Sequence, residues 1–138
     1  MTHVLDSSAI LADIFGEPGA NRVNELMNDP NVIASVSVLT LFETYTTVLH
    51  RTGSDALARQ AVATLKAALS ELAPISEAIV ELAMDLRNAA TSRIATVDCL
   101  IAATAVQHGA ILVHRDPHFA ALPAGKPTQE VLPDKASV

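Results

Sequence analysis

Four carboxylates stand at places in this chain where chemistry is usually sited: Asp6, Glu43, Asp98 and Asp116. Asp6 closes the short run Thr2-His3-Val4-Leu5 and is followed at once by the helix-starting Ser7-Ser8-Ala9. An acid between the carboxyl end of a strand and the start of a helix occupies the position at which open α/β sheets gather ligands. Asp116 follows the apolar run Ile111 to His114 in the same manner, and Asp98 opens a strongly apolar helical stretch. Glu43 lies inside a helical segment. Carboxylates about 5 Å apart repel by about 3 kcal/mol per pair at an effective dielectric of 20. A cluster of this kind persists with raised pKa values or around a hard cation. Mg2+ or Mn2+ suits a site made only of oxygen ligands. The expectation is that the four acids meet at one pocket and hold divalent metal.

Each acid also has a purely structural reading. Asp6 is a favoured helix N-cap, although Ser7 or Ser8 could cap in its place. Asp98 could cap its helix or sit favourably at the positive end of the helix dipole. Asp116-Pro117 is a common turn start. For Glu43 the bland reading is the stronger one. Val38, Leu41, Phe42, Tyr45, Val48 and Leu49 form the apolar stripe of its helix, and at about 100° per residue Glu43 points away from them, beside Thr40, Thr47 and His50. A solvated face accounts for that arrangement. The histidines carry less: only His114 and His118 approach a zinc-motif spacing, and they straddle a proline loop. His118 could reach a substrate phosphate from near Asp116, but a surface histidine explains it equally. Gly16 and Gly19 do not form a phosphate loop, and Ser7 and Ser8 lack a nucleophile-elbow context.

The elements that must carry these residues alternate between strand and helix. Strands are expected at residues 2–5, Val32–Ser35, Leu72–Ile75, Ile111–His114 and Glu130–Leu132, with Pro74 confining the third to a sheet edge. Helices are expected from Ser8 to Phe15, over 19–28, from Ser37 to Thr52 with a stop at Gly53, and over 54–70 with Leu57, Ala61, Leu65 and Leu69 in register. Two more follow, one opening at Ser76-Glu77 and one over 96–108 that is apolar nearly all round and therefore buried. The tail from Pro133 is expected to fray. This alternation implies an α/β fold with a parallel sheet and right-handed crossovers. If strand order reverses between the first strand and the Ile111 strand, Asp6 and Asp116 flank the switch point.

At 138 residues the chain is expected to form one domain, 1–138, with an aliphatic core, since aromatics make up 3% and Trp is absent. A net charge of −6 argues against a module that grips nucleic acid by charge alone. It is compatible with a nuclease whose acids are paired with cations. The single Cys99 fits a reducing compartment and a buried role. With no leader-like start and no long apolar run, the expectation is a cytoplasmic protein with no membrane association.

Taken together, Val4-Leu5-Asp6-Ser7-Ser8-Ala9, Ser37-Val38-Leu39-Thr40-Leu41-Phe42-Glu43, Asp98-Cys99-Leu100-Ile101-Ala102-Ala103-Thr104-Ala105 and Val113-His114-Arg115-Asp116-Pro117-His118-Phe119 resemble the four acidic motifs of PIN domains. More narrowly, they resemble those of VapC-type ribonuclease toxins from toxin–antitoxin pairs. The resemblance runs from residue 2 to about 133. It implies a three-layer α/β/α sandwich with strand order 3-2-1-4-5, and Asp6, Glu43, Asp98 and Asp116 as ligands of Mg2+ or Mn2+. It also implies metal-dependent hydrolysis of an RNA phosphodiester, homodimerisation, and silencing by a VapB-type antitoxin. Glu43 is then turned toward the pocket, against the solvated reading. Ser7 matches a hydroxyl residue that follows the first acid. Candidates to grip RNA are Arg51, Arg59, Arg87, Arg115 and above all Arg93, five residues ahead of Asp98. The alternative is a PIN-fold binding or regulatory module with little catalysis, which would gain nothing from clustered acids. A phosphatase would want an acid at Ser8, and a receiver domain would want a Lys after its last strand.

Overall fold

In the computed structural model, which describes residues 1–134, five strands form one parallel sheet. They are β1 (His3–Leu5), β2 (Ala34–Ser37), β3 (Glu71–Ala73), β4 (Ile111–His114) and β5 (Gln129–Val131), in the order β3-β2-β1-β4-β5. Six helices connect them: α1 (Ser7–Ile14), α2 (Ala20–Asn28), α3 (Val38–Thr52), α4 (Asp55–Ala68), α5 (Glu77–Ala89) and α6 (Thr96–Gln107). A 3-10 turn, Pro117–Ala121, follows β4. The expected fraying of the tail concerns mainly residues 135–138, which lie outside the described residues.

The three layers follow from the two-residue period of the strands. Val4 and Leu112 point into one core with Ile79, Leu86, Ile101 and Phe119, beneath α5 and α6. Their neighbours Leu5 and Val113 point into the opposite core with Ile10, Val23, Leu26 and Leu65, beneath α1, α2 and α4. Strands buried on both faces need continuous apolar runs, which is why Ile111–Val113 shows no polar alternation. The register Val4↔Leu112 and Leu5↔Val113 sets β1 and β4 side by side. The chain runs outward from β1 through β2 to β3, then returns to build β4 and β5 on the other flank. The β1–β4 seam is therefore the switch point, and Asp6 leaves it at the carboxyl edge.

Three local expectations need correction. β3 spans Glu71–Ala73 rather than Leu72–Ile75, stopping ahead of Pro74. β2 spans Ala34–Ser37 rather than Val32–Ser35, and all four of its residues are buried. Its serines hide the strand from an apolar-run reading, because Ser35 is accommodated by donating from Oγ to the Glu71 carbonyl at 2.9 Å. The apolar stripe of α3 is only partly its core face. Thr40, Thr44 and Val48 are buried, whereas Phe42 is 72% exposed and Val38 is also exposed. Phe42 and Val38 line a groove against Val62 and Ala63 of α4. Gly53 ends α3 as expected, at φ +68° with its N–H on the Leu49 carbonyl at 2.7 Å.

Candidate functional site

Asp6 caps α1 and is 2% exposed. Its Oδ2 accepts the Ser8 N–H at 3.1 Å and the Ser8 hydroxyl at 2.6 Å. The capping reading is therefore correct for Asp6 itself, not for the serines. It uses only one carboxylate oxygen: Oδ1 is buried with no hydrogen-bond partner. Burial pushes the Asp6 carboxyl above its ordinary range, the two Ser8 bonds pull it back, and the charge of Asp116 adds to the rise.

Glu43 reaches the same place from the second turn of α3. Its carboxyl is pushed up to about 7 by burial first and then by the charge of Asp6, with smaller contributions from Asp98 and Asp116. Ser7 partly offsets this rise, and Glu43 Oε1 is buried and unpartnered. The solvated-face reading of Glu43 is thus overturned. The face it shares with Thr40 and Thr44 turns inward, and both threonine hydroxyls are buried without a partner.

Asp98 lies in the first turn of α6, but the N-cap position belongs to Ala95 and no side chain caps the helix. Capping therefore does not account for Asp98. Burial, then the charges of Asp6 and Asp116, push its carboxyl up to about 6. Asp116 caps the 3-10 turn, with its Oδ1 accepting the His118 N–H at 2.9 Å and lying 2.7 Å from His118 Nδ1. The histidine ring itself is 70% exposed.

The loop carrying Asp116 is shaped by a buried polar chain. The Asp116 N–H donates to His114 Nδ1 at 3.1 Å, so the ring proton sits on Nε2 and faces Gln129 Oε1 at 2.7 Å. Gln129 Nε2 in turn donates to the Phe119 carbonyl at 3.1 Å, and the His114 ring packs on Phe119 at 4.5 Å between centroids. Both nitrogens of His114 are occupied, which removes it as a metal ligand. Sequence reasoning missed this chain, as it missed Ser8. The only available signal was a histidine inside an otherwise apolar strand.

Four of the five arginines considered for RNA have partners within the chain. Arg115 Nη2 meets Glu17 Oε1 at 2.7 Å and Arg51 meets it at 3.6 Å, while the Arg51 guanidinium covers the Phe15 ring at 4.2 Å. Arg59 pairs with Asp55, and Arg87 donates to the Ile94 carbonyl. Arg93 is exposed in the segment ahead of α6. Cys99 is buried, as expected.

Among the described residues no three His, Cys, Asp or Glu side chains close into a ready-made cage. The four acids instead face one another through space, and uncompensated carboxylates repel. Two buried oxygens without donors, on Asp6 and Glu43, are hard ligands of the kind a divalent cation takes. The donor set therefore fits Mg2+ or Mn2+.

The PIN domain profile matches residues 3–125. No curated protein matches at the level of sequence. Several solved structures share the fold. A chain of VapBC2 from Rickettsia felis, bound to a DNA fragment from the promoter, superposes with a TM-score of 0.79 at 20% identity, covering 96% of this chain and 100% of that one. A chain of DNA-bound VapBC from Salmonella typhimurium gives 0.78 at 17% identity over 95% and 98%. A chain of VapBC-1 from nontypeable Haemophilus influenzae gives 0.70 at 20% identity over 95% and 98%. Since the profile match runs from the first residue of β1 to the segment ahead of β5, the chain belongs to the PIN-domain family.

Proposed function

We propose that this protein is a metal-dependent endoribonuclease that acts as the toxin of a toxin–antitoxin pair. The observation that carries the reading is the convergence of Asp6, Glu43, Asp98 and Asp116, with Asp6 Oδ1 and Glu43 Oε1 buried and without donors. Clustered carboxylates with raised pKa values cost stability, and a cation recovers that cost. Asp6, Asp98 and Asp116 would be the principal ligands of Mg2+ or Mn2+, with Glu43 orienting metal or water. When bound, the metal supplies a water of lowered pKa and neutralises charge on the phosphate and the leaving 3′-oxygen.

The chain's own residues do the rest. Asp6 is held by Ser8, and Asp116 by the His114 chain, so both acids are presented in fixed orientation. Ser7 acts on Glu43, whose carboxyl it lowers. Burial and the neighbouring acids push the Glu43 carboxyl up to about 7, and its ionised form would orient a bound cation or a water in the site. The toxin assignment is supported by solved neighbours that are VapBC complexes, two of them on DNA. The partners proposed here are accordingly RNA as substrate, a VapB-type antitoxin, and a second copy of the chain. No helix among the described residues is long and apolar enough to cross a membrane.

The test is incubation of purified protein with total RNA and Mg2+ or Mn2+, beside EDTA and an Asp98→Asn variant checked for folding. Discrete products that disappear in both controls are expected, with Asp98→Asn slower by about a thousandfold or more because ligands of one centre act as a unit. No cleavage at any metal level, with the antitoxin shown to be absent, would leave a binding module as the better account, and cleavage that survives EDTA would overturn the metal dependence.

A further inference from the structure

Ser7 and Ser8 are adjacent and chemically identical, yet they serve different acids. Ser7 acts on Glu43, whose carboxyl it lowers, while Ser8 turns to Asp6. The Ser8 hydroxyl makes two contacts of opposite sense. It donates to Asp6 Oδ2 at 2.6 Å and accepts the backbone N–H of Arg115 at 3.1 Å. A hydroxyl has one proton, and an amide N–H can only donate. With the Arg115 amide filling a lone pair, the hydroxyl proton is committed to Asp6. Together with the Ser8 N–H this puts two donors on Oδ2, and Oδ1 is the oxygen left for the centre.

Arg115 directly precedes Asp116, so one hydroxyl joins the acid at the end of β1 to the backbone leading to the acid after β4. Those segments lie 107 residues apart in sequence. The Arg115 side chain is only 7% exposed and is anchored through Nη2 to Glu17, just beyond α1. The residue is therefore fixed to the α1 segment at both its backbone and its guanidinium. From this geometry we infer that Ser8 is a positioning residue: it aims Asp6 and sets the spacing between Asp6 and Asp116. The inference rests on the metal-dependent reading of the site.

The experiment measures Mn2+ affinity of the full chain by titration with free-Mn2+ detection, beside thermal melting in EDTA and the Mn2+ and RNA dependence of cleavage. Ser8→Ala removes the hydroxyl. Ser8→Thr keeps it. Ser8→Cys keeps the shape with a weaker donor, which covers the case in which Ser8→Ala does not fold. Groups that orient ligands from behind are worth about 10–100-fold in metal affinity. A loss of that order is expected for Ser8→Ala, an intermediate loss for Ser8→Cys, and recovery to within about threefold for Ser8→Thr. The Mn2+ needed for half-maximal cleavage should rise in parallel while the KM for RNA stays put. Equal Mn2+ affinity in folded Ser8→Ala or Ser8→Cys and wild type, with only a lower melting temperature, would make Ser8 a structural residue and overturn the inference. No Mn2+ binding by wild type would overturn the metal reading instead.

Discussion

Glu43 shows how one side chain can be costly to the fold and still be turned toward the other acids. Its carboxyl is half-buried, pushed up to about 7 by burial and by the charge of Asp6, and one of its oxygens has no donor. At pH 8 it is ionised against this resistance; at pH 5.5 it is protonated. Glu43→Gln removes the charge and keeps the shape. In EDTA the variant should melt above wild type at pH 8, and the difference should narrow at pH 5.5 and vanish only near pH 4, where folded and unfolded states both hold the proton. RNA cleavage at pH 8 should fall by about a hundredfold or more, since Gln brings no negative charge to a metal and takes no proton. Melting by differential scanning fluorimetry and a gel-based cleavage assay check the two halves separately. A variant less stable than wild type at pH 8 would show that the Glu43 charge already has a partner in the metal-free protein. Asp6, Asp98 and Asp116 were legible as strand-end and helix-start acids. Glu43 was not, from periodicity alone. Its position opposite an apolar stripe predicts solvent, and only the family resemblance turned it inward. Ser8 could not be read at all, because its decisive partner is a backbone amide 107 positions away.

At the scale of elements, the parallel sheet followed from the strand–helix alternation and its order from the resemblance, and the misreadings near the site share one cause. Apolar runs and stripes locate elements well when apolar means buried. β2 buries Ser35 and Ser37, and α3 buries Thr40 and Thr44 while exposing Phe42, so both depart from that assumption beside the site. α6 obeys it and was placed within a residue of its start. The loop after β4 depends on chemistry that no periodicity reveals. His114, Gln129 and the Phe119 carbonyl form a relay that ties β4, β5 and the 3-10 turn together, with Asp116 at its end. Gln129→Leu is close in volume and leaves His114 Nε2–H and the Phe119 carbonyl without partners. Unpaired buried groups cost about 1–3 kcal/mol. The variant should therefore lose about that much stability in urea denaturation, with an unchanged m-value. It should also cleave more slowly, as Asp116 loses a fixed loop. Full stability with reduced cleavage would mean that the relay sets the loop's position without contributing to the fold.

The whole molecule carries a net charge of −6, and several of its cationic side chains are held by its own carboxylates: Arg22 by Glu25 and Glu130, Arg51 and Arg115 by Glu17, Arg59 by Asp55. Stability should therefore respond to pH mainly through the acids of the centre. Asp6, Glu43 and Asp98 all titrate above their unfolded values, Glu43 at about 7 and Asp98 at about 6. Below the unfolded carboxylate range, near pH 4, folded and unfolded states bind these protons alike. As pH rises from there, the unfolded chain releases them first and the native state holds more protons, so stability falls until the folded groups have ionised, near pH 7–8. His3 works the other way, its pKa lowered chiefly by burial, but it is a single group. Asp55 and Glu130, both held low by arginine or tyrosine partners, act only in the acid range below this window. Glu43 and Asp98 are half open to solvent, which screens their interactions and reduces each contribution to about 1 kcal/mol. At about 3 °C per kcal/mol for a chain of this length, the EDTA-treated protein should melt several degrees lower at pH 8 than at pH 5.5. Mn2+ binds the ionised forms, so its stabilising effect should grow with pH and flatten or invert the slope. Melting curves across pH 5–8, with EDTA and with Mn2+, make the comparison in one plate. A melting temperature that climbs with pH in EDTA would mean the four acids are already neutralised from within the chain, and the case for a cation at their centre would lose its physical basis.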